Sequence, residues 1–248
     1  MTPSYAGQNI WIIGASSGIG RALAIELAKS GATLILSARR AEELEALHAT
    51  LDRAHHIFPF DVADSDAVMC MANRIRACIS QLDRVIFMAA MYDPAPLAQL
   101  DLKAAHAALA INLGGALHIV HAVLPIFRSQ GYGQLALCGS VAGYRGLPNG
   151  QPYSATKAAI INLAESLRAE ERTFDIKIIN PGFVRTALTD KNTFKMPMRI
   201  EPEEAARIIA RELQTACFEI HFPKRFTFLM KMIALLPSWI YFRCLSRF

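Results

Sequence analysis

The alternation of short apolar runs with longer amphipathic stretches most limits how this chain can fold. Runs of strand length occupy 10–13, 33–37, 56–60, 84–88, 133–138 and 177–180, and stretches of helical length lie at 21–30, 41–51, 65–80, 102–127 and 154–172. Most runs are continuously apolar, which suits parallel strands covered on both faces. Repeated strand–helix units predict a doubly wound, Rossmann-like parallel sheet flanked by helices, with ligands at the carboxyl ends of the strands. At 248 residues and 53% hydrophobic, the chain has the apolar surface for one such domain. We expect that domain over 1–220, followed by an apolar, basic tail over 221–248.

The net charge of +5 comes from this tail. Lys224, Arg225, Lys231, Arg243 and Arg247 follow Glu219 with no acidic residue among them, and the other 21 Lys and Arg balance 21 Asp and Glu. A neutral body without a Lys/Arg stripe argues against nucleic acid as a partner. Lys231 and Pro237 break the tail, leaving it short of the ~20 apolar residues of a membrane span. It can pack on the body or a second subunit, or lie on an anionic membrane surface. Five cysteines (Cys70, Cys78, Cys138, Cys217, Cys244) include no C-x-x-C pair. They read as free thiols of a reducing compartment, with no metal site expected. The start, MTPSYAGQNIW, has no basic stretch leading into an apolar one, so a cytoplasmic location is expected.

After the first apolar run comes IIGASSGIGR, where Gly14, Gly18 and Gly20 are spaced G-x-x-x-G-x-G and a helix begins near Ile19. A glycine loop entering a helix offers unpaired N–H groups and a positive dipole end to a pyrophosphate, and Ser16 and Ser17 add hydroxyls. The same loop also serves as a bare strand–helix turn. The second run ends in Ser37–Ala38–Arg39–Arg40. An NAD site usually has an acid here for the ribose 2′-OH, whereas two guanidinium groups suit the 2′-phosphate of NADP(H). A solvated helix start, with Arg40 near Glu43, is the alternative.

Tyr153 and Lys157, four apart, share one helical face, where an ammonium beside a phenol favours general acid/base work. Ser140 lies at the end of the fifth run between Gly139 and Gly143. Asn112 lies in an apolar helix where its amide needs partners. Pro181, Gly182, Val184 and Thr186 follow the last run.

Taken together, Gly14-x-x-x-Gly18-x-Gly20, Asp61, Asn112, Ser140, Tyr153-x-x-x-Lys157 and Pro181–Gly182 with Thr186 resemble the short-chain dehydrogenase/reductase family over nearly all of residues 7–220. The resemblance implies that Tyr153 protonates a substrate carbonyl oxygen as NADPH delivers hydride to its carbon. Lys157 lowers the Tyr153 pKa and holds the nicotinamide ribose, Ser140 orients the carbonyl, and Asn112 holds a water between Lys157 and solvent. Gly14, Ser16, Ser17, Gly18, Ile19 and Gly20 take the pyrophosphate side, Arg39 and Arg40 the 2′-phosphate, and Asp61 and Val62 the adenine. Ala89 and Ala90 line the cofactor wall, and residues 181–186 face the nicotinamide. The sequence departs from the family twice: Ile13 stands where the family usually has Thr, and Met88–Ala89–Ala90–Met91 where it has Asn-Asn-Ala-Gly.

Tyr144, Phe194, Met196 and Met198 offer apolar walls for a substrate, so an apolar carbonyl or alcohol is expected. The family's habit of pairing long apolar helices implies a homodimer or homotetramer. An NADP(H)-binding regulatory protein with little turnover is the reading from another class.

Overall fold

The computed structural model describes residues 4–52, 55–192, 194 and 196–245, with Cys244 and Leu245 described by backbone alone, so Arg247 and the Cys244 thiol lie outside the described residues. Seven parallel strands form one sheet: β1 (Asn9–Ile13), β2 (Thr33–Ser37), β3 (His56–Ile57), β4 (Arg84–Phe87), β5 (Gln134–Cys138), β6 (Asp175–Pro181) and β7 (Glu219–Phe222). Their order is β3-β2-β1-β4-β5-β6-β7, so the winding reverses between β1 and β4. A crevice opens at the carboxyl ends of the strands where winding reverses.

Period-two alternation along the strands sorts side chains into two cores. Trp11 and Ile13 of β1 join one with α3 (Ser65–Cys78), α5 (Gly115–Gln130) and α6 (Tyr153–Glu170). Ile10 and Ile12 join the other with α1 (Gly18–Lys29), α2 (Ala41–His48) and α7 (Pro202–Glu212). The helices begin where local chemistry allows. Asp64 caps α3 by accepting from the Asp66 and Ala67 N–H groups, and Pro202 opens α7 with its φ already set for a helix.

Three sequence expectations need correcting. The third run, expected over 56–60, is a strand only at His56–Ile57, because Pro59 has no N–H for the ladder. Its flanks still pair, the Phe58 N–H donating to Leu36 O and the Phe60 N–H to Ala38 O. The helix expected over 102–127 is α4 (Leu102–Leu109) joined to α5 through a wide π turn at Ala110–Gly114, which carries Asn112. The sequence reading also lacked β7, the edge strand that joins body to tail. The tail itself forms α8 (Lys224–Ala234) and α9 (Ser238–Leu245).

Candidate active site

At the β1/β4 reversal the backbone turns so tightly that side chains have no room. Gly14 has φ +92°, and a Cβ there would stand 2.6 Å from the Ala89 nitrogen; one at Gly20 would strike the Gly14 carbonyl oxygen. Ser17 precedes α1 without a side-chain cap, so the first-turn N–H groups of this helix face the loop unclaimed by it. The result is a cradle sized for a backbone-bound anion, the fit expected of a dinucleotide pyrophosphate.

A cleft of about 670 Å³ starts at this cradle. It is lined by Gly14, Ser16, Ser17, Gly18, Ile19, Gly20, Arg39, Arg40, Asp61, Val62, Ala89, Ala90, Ser140, Tyr153, Lys157, Pro181, Gly182, Val184 and Thr186. At one end Arg39 lies 3.8 Å from the Asp61 carboxylate, and Arg40 Nη2 donates back to Ser16 Oγ at 3.3 Å. Two guanidinium groups therefore stand beside the glycine loop.

At the other end, Ser140 leaves β5 in an extended conformation and its Oγ accepts from the Ala142 N–H. Gly143 lets this turn press against α6, since a Cβ there would lie 2.7 Å from the Lys157 carbonyl carbon. Lys157 is fully buried and its Nζ donates to Cys138 O at 2.7 Å, while standing 5.4 Å from the Tyr153 ring centroid. Burial pushes the Lys157 ammonium below its ordinary pKa and pushes the Tyr153 phenol above its own. The hydrogen bond with Ser140 pulls the phenol back down, without overcoming burial. Tyr153 therefore holds its proton in this arrangement.

Asn112 does not line the cleft. Its Oδ1 accepts from the Met91 N–H at 2.7 Å, and its Nδ2 donates to Met91 O and Thr156 Oγ1. The amide thus braces the loop after β4 against α6. That bracing supplies two hydrogen bonds to Met91, at the end of the Met88–Ala89–Ala90–Met91 stretch. Ile13, the other departure, is a fully buried core residue.

The four substrate candidates also stand away from the lining. Tyr144 donates to Glu219 at 2.5 Å, on the tail side. Phe194 packs edge-on to Phe183, Met196 accepts from Asn192, and Met198 is half exposed at φ +53°. Their place is taken by Tyr92, Ala107, Ile111, Leu188, Thr189 and Lys191, which sequence reasoning missed. The Tyr92 ring meets Tyr153 edge-on at 4.9 Å, and its hydroxyl donates to Asn192 Oδ1 at 2.6 Å. Among the described residues no cluster of metal-ligating side chains occurs.

Beyond the cleft, Glu219 is a hub between body and tail. Its Oε1 accepts from Tyr144 and from Asn180 Nδ2, and its Oε2 from Lys231 Nζ. Burial alone would raise this carboxyl, but the donors from Lys231, Tyr144 and Asn180 outweigh it and hold the pKa below the ordinary value.

Residues 8–196 match the family model described as short chain dehydrogenase. An uncharacterized oxidoreductase of Myxococcus xanthus is 31% identical over 232 residues, covering 92% of each chain. One of Mycobacterium tuberculosis is 35% identical over 206 residues, covering 80% of this chain and 81% of the relative. Among solved structures, levodione reductase superposes with a TM-score of 0.82 at 23% identity, over 90% of this chain and 98% of its own, a likeness of fold.

Proposed function

The chain belongs to the short-chain dehydrogenase family, and on that premise we propose that it is an NADP(H)-dependent reductase of an apolar carbonyl compound, or dehydrogenase of the matching alcohol. The observation that carries this reading is a single cleft joining the glycine cradle and Arg39–Arg40 at one end to Ser140, Tyr153 and Lys157 at the other. The family's nicotinamide dinucleotide, when bound, supplies or accepts the hydride. The glycine loop and the α1 N-terminus would hold its pyrophosphate, Arg39 and Arg40 its 2′-phosphate, Asp61 and Val62 its adenine, and residues 181–186 its nicotinamide end.

The rest is work for this chain's side chains. Tyr153, kept protonated by burial, gives its proton to the carbonyl oxygen as negative charge develops there. Ser140 Oγ orients that oxygen and stabilises the charge, an electrostatic contribution to rate. The buried Lys157 ammonium holds the ribose side and draws the phenol toward ionisation as the proton leaves. Met88, Ala89, Ala90, Ile111 and Leu188 supply apolar wall beside Tyr92, Thr189 and Lys191, which suits a largely apolar carbonyl substrate. Members of this family typically form oligomers, and Leu102, Leu109 and Leu117, exposed on α4 and α5, fit a homodimer or homotetramer contact.

The test is NADPH oxidation over a panel of ketones, aldehydes and acyl thioesters, with Tyr153→Phe as control. Turnover by the native chain, lost in the variant while NADPH still binds, is expected. Equal rates in both would refute the proton-transfer role, and tight NADPH binding with no turnover of any compound would favour a regulatory protein.

A further inference from the structure

The two tail helices are apolar on both sides, and only one side is used. Inward, Phe226 and Tyr241 are buried. Arg145 closes this side, its Nη1 donating to Ala234 O at 3.0 Å and to Leu236 O, its guanidinium lying 3.9 Å from the Tyr241 ring centroid. Outward, Phe228, Leu229, Met232, Leu235, Trp239 and Phe242 are 53% to 78% exposed. Helical spacing of 228 with 232 and of 239 with 242 puts these pairs on the outer surface of their helices, with Leu235 exposed at the α8 C-terminus. Six large apolar side chains gathered on one short stretch of chain mark a docking face.

Charge selects the occupant. Lys224 and Arg225 are exposed at the start of α8, and no acidic residue follows Glu219. A second copy meeting this face symmetrically would bring like charges together, whereas an anionic bilayer meets both the cationic rim and the aromatic surface. Neither helix, at 11 and 8 residues, reaches the ~20 needed to cross.

We propose that the outer face of α8 and α9 docks the protein in the plane of an anionic lipid surface. The same tail grips Arg145 and Gly146, between Ser140 and Tyr153, while Tyr144 joins Glu219 of β7, so docking sets the chemical end of the cleft beside the lipid. This does not depend on the proposed reaction.

The test is flotation of the full chain with phosphatidylcholine vesicles, with and without phosphatidylserine. Of the two tryptophans, Trp11 is fully buried and Trp239 is 72% exposed, so a blue shift on binding reports Trp239. We expect flotation with phosphatidylserine vesicles, weakening with salt, and a blue shift. Replacing Lys224 and Arg225 by Ser weakens binding about fivefold for each residue. Leu235→Glu with Phe242→Glu abolishes flotation and, both side chains being exposed, leaves the melting temperature unchanged. No flotation of the native chain with either vesicle overturns the proposal. So does loss of self-association, rather than of flotation, in the Glu variant.

Discussion

Removing the carboxylate of Glu219 is a direct probe of how the tail is fastened. Three donors converge on it at 2.5 to 2.8 Å, from Tyr144, Lys231 and Asn180. In Glu219→Ala, the Asn180 amide, 1% exposed, loses its acceptor, and its own Oδ1 already has none. An unpaired buried donor costs about 1–3 kcal/mol, so this amide accounts for about 2 kcal/mol. Tyr144 is half-buried and Lys231 about one-third exposed, so water partly replaces their bonds and together they add roughly 1 kcal/mol. A loss of about 3 kcal/mol corresponds to a fall of roughly 6–12 °C in melting temperature for a domain of this size. Glu219→Gln keeps an acceptor and should lose less.

The pH dependence follows from the depressed pKa of Glu219. A carboxyl more acidic in the folded than in the unfolded chain contributes stability above its unfolded value of about 4.3, and that contribution disappears as pH falls through the folded value. Urea unfolding followed by circular dichroism, at neutral pH and through the acid range, measures both effects. The native advantage over Glu219→Gln should shrink below about pH 4.3. An Ala variant within about 0.5 kcal/mol of native, or an advantage over Gln that does not change with pH, would refute the assigned network.

Gly20→Ala should cut dinucleotide affinity by more than tenfold in a fluorescence titration, because its Cβ and the Gly14 carbonyl oxygen compete for one place and the cradle must open. Unchanged affinity would show that the cradle does not hold the pyrophosphate. Replacing Arg39 and Arg40 by Ala should lower the preference for NADP(H) over NAD(H) by about tenfold or more, as expected for lost charge-assisted hydrogen bonds to a 2′-phosphate. An unaltered ratio of kcat/KM values would return the two arginines to a solvated role.

The parts of the molecule legible in the sequence are those governed by local pattern. Apolar runs such as 10–13, and 84–88 after its opening Arg84, announced the central strands, because strands covered on both faces need apolar residues along their length. Ser140, Tyr153 and Lys157 could be grouped because their order and spacing resemble the family's motif set, and the structure brings them to one cleft. β7 escaped notice because it is only four residues long, and two apolar residues, Ile220 and Phe222, alternating with Glu219 and His221 make too short a pattern to stand out. With β7 unseen, Glu219 had no place, and nothing could show that Tyr144 turns toward the tail rather than the substrate. Tyr92 and Lys191 come from loops meeting only in the folded chain, where Lys191 Nζ donates to Tyr92 O at 2.9 Å, a pairing with no local sequence signal. The π turn at Asn112 is equally silent, since Ala110, Ile111 and Leu113 fit an ordinary helix and a lone Gly114 within a helical pattern does not announce a π turn.

The grip of residues 144–146 on the tail has a consequence for the order of events during synthesis. Tyr144, Arg145 and Gly146 find their partners 75 to 95 positions later, at Glu219, Leu236 and Tyr241. Domains assemble as the chain emerges, at about 5–20 residues per second, so most of the sheet can form before these partners exist. Residues 144–146 must wait for β7, α8 and α9, whereas 140–143 are already tied to one another and to Ser154. A nascent chain of this protein would therefore build its glycine cradle before residues 144–146 gain the partners that fix them.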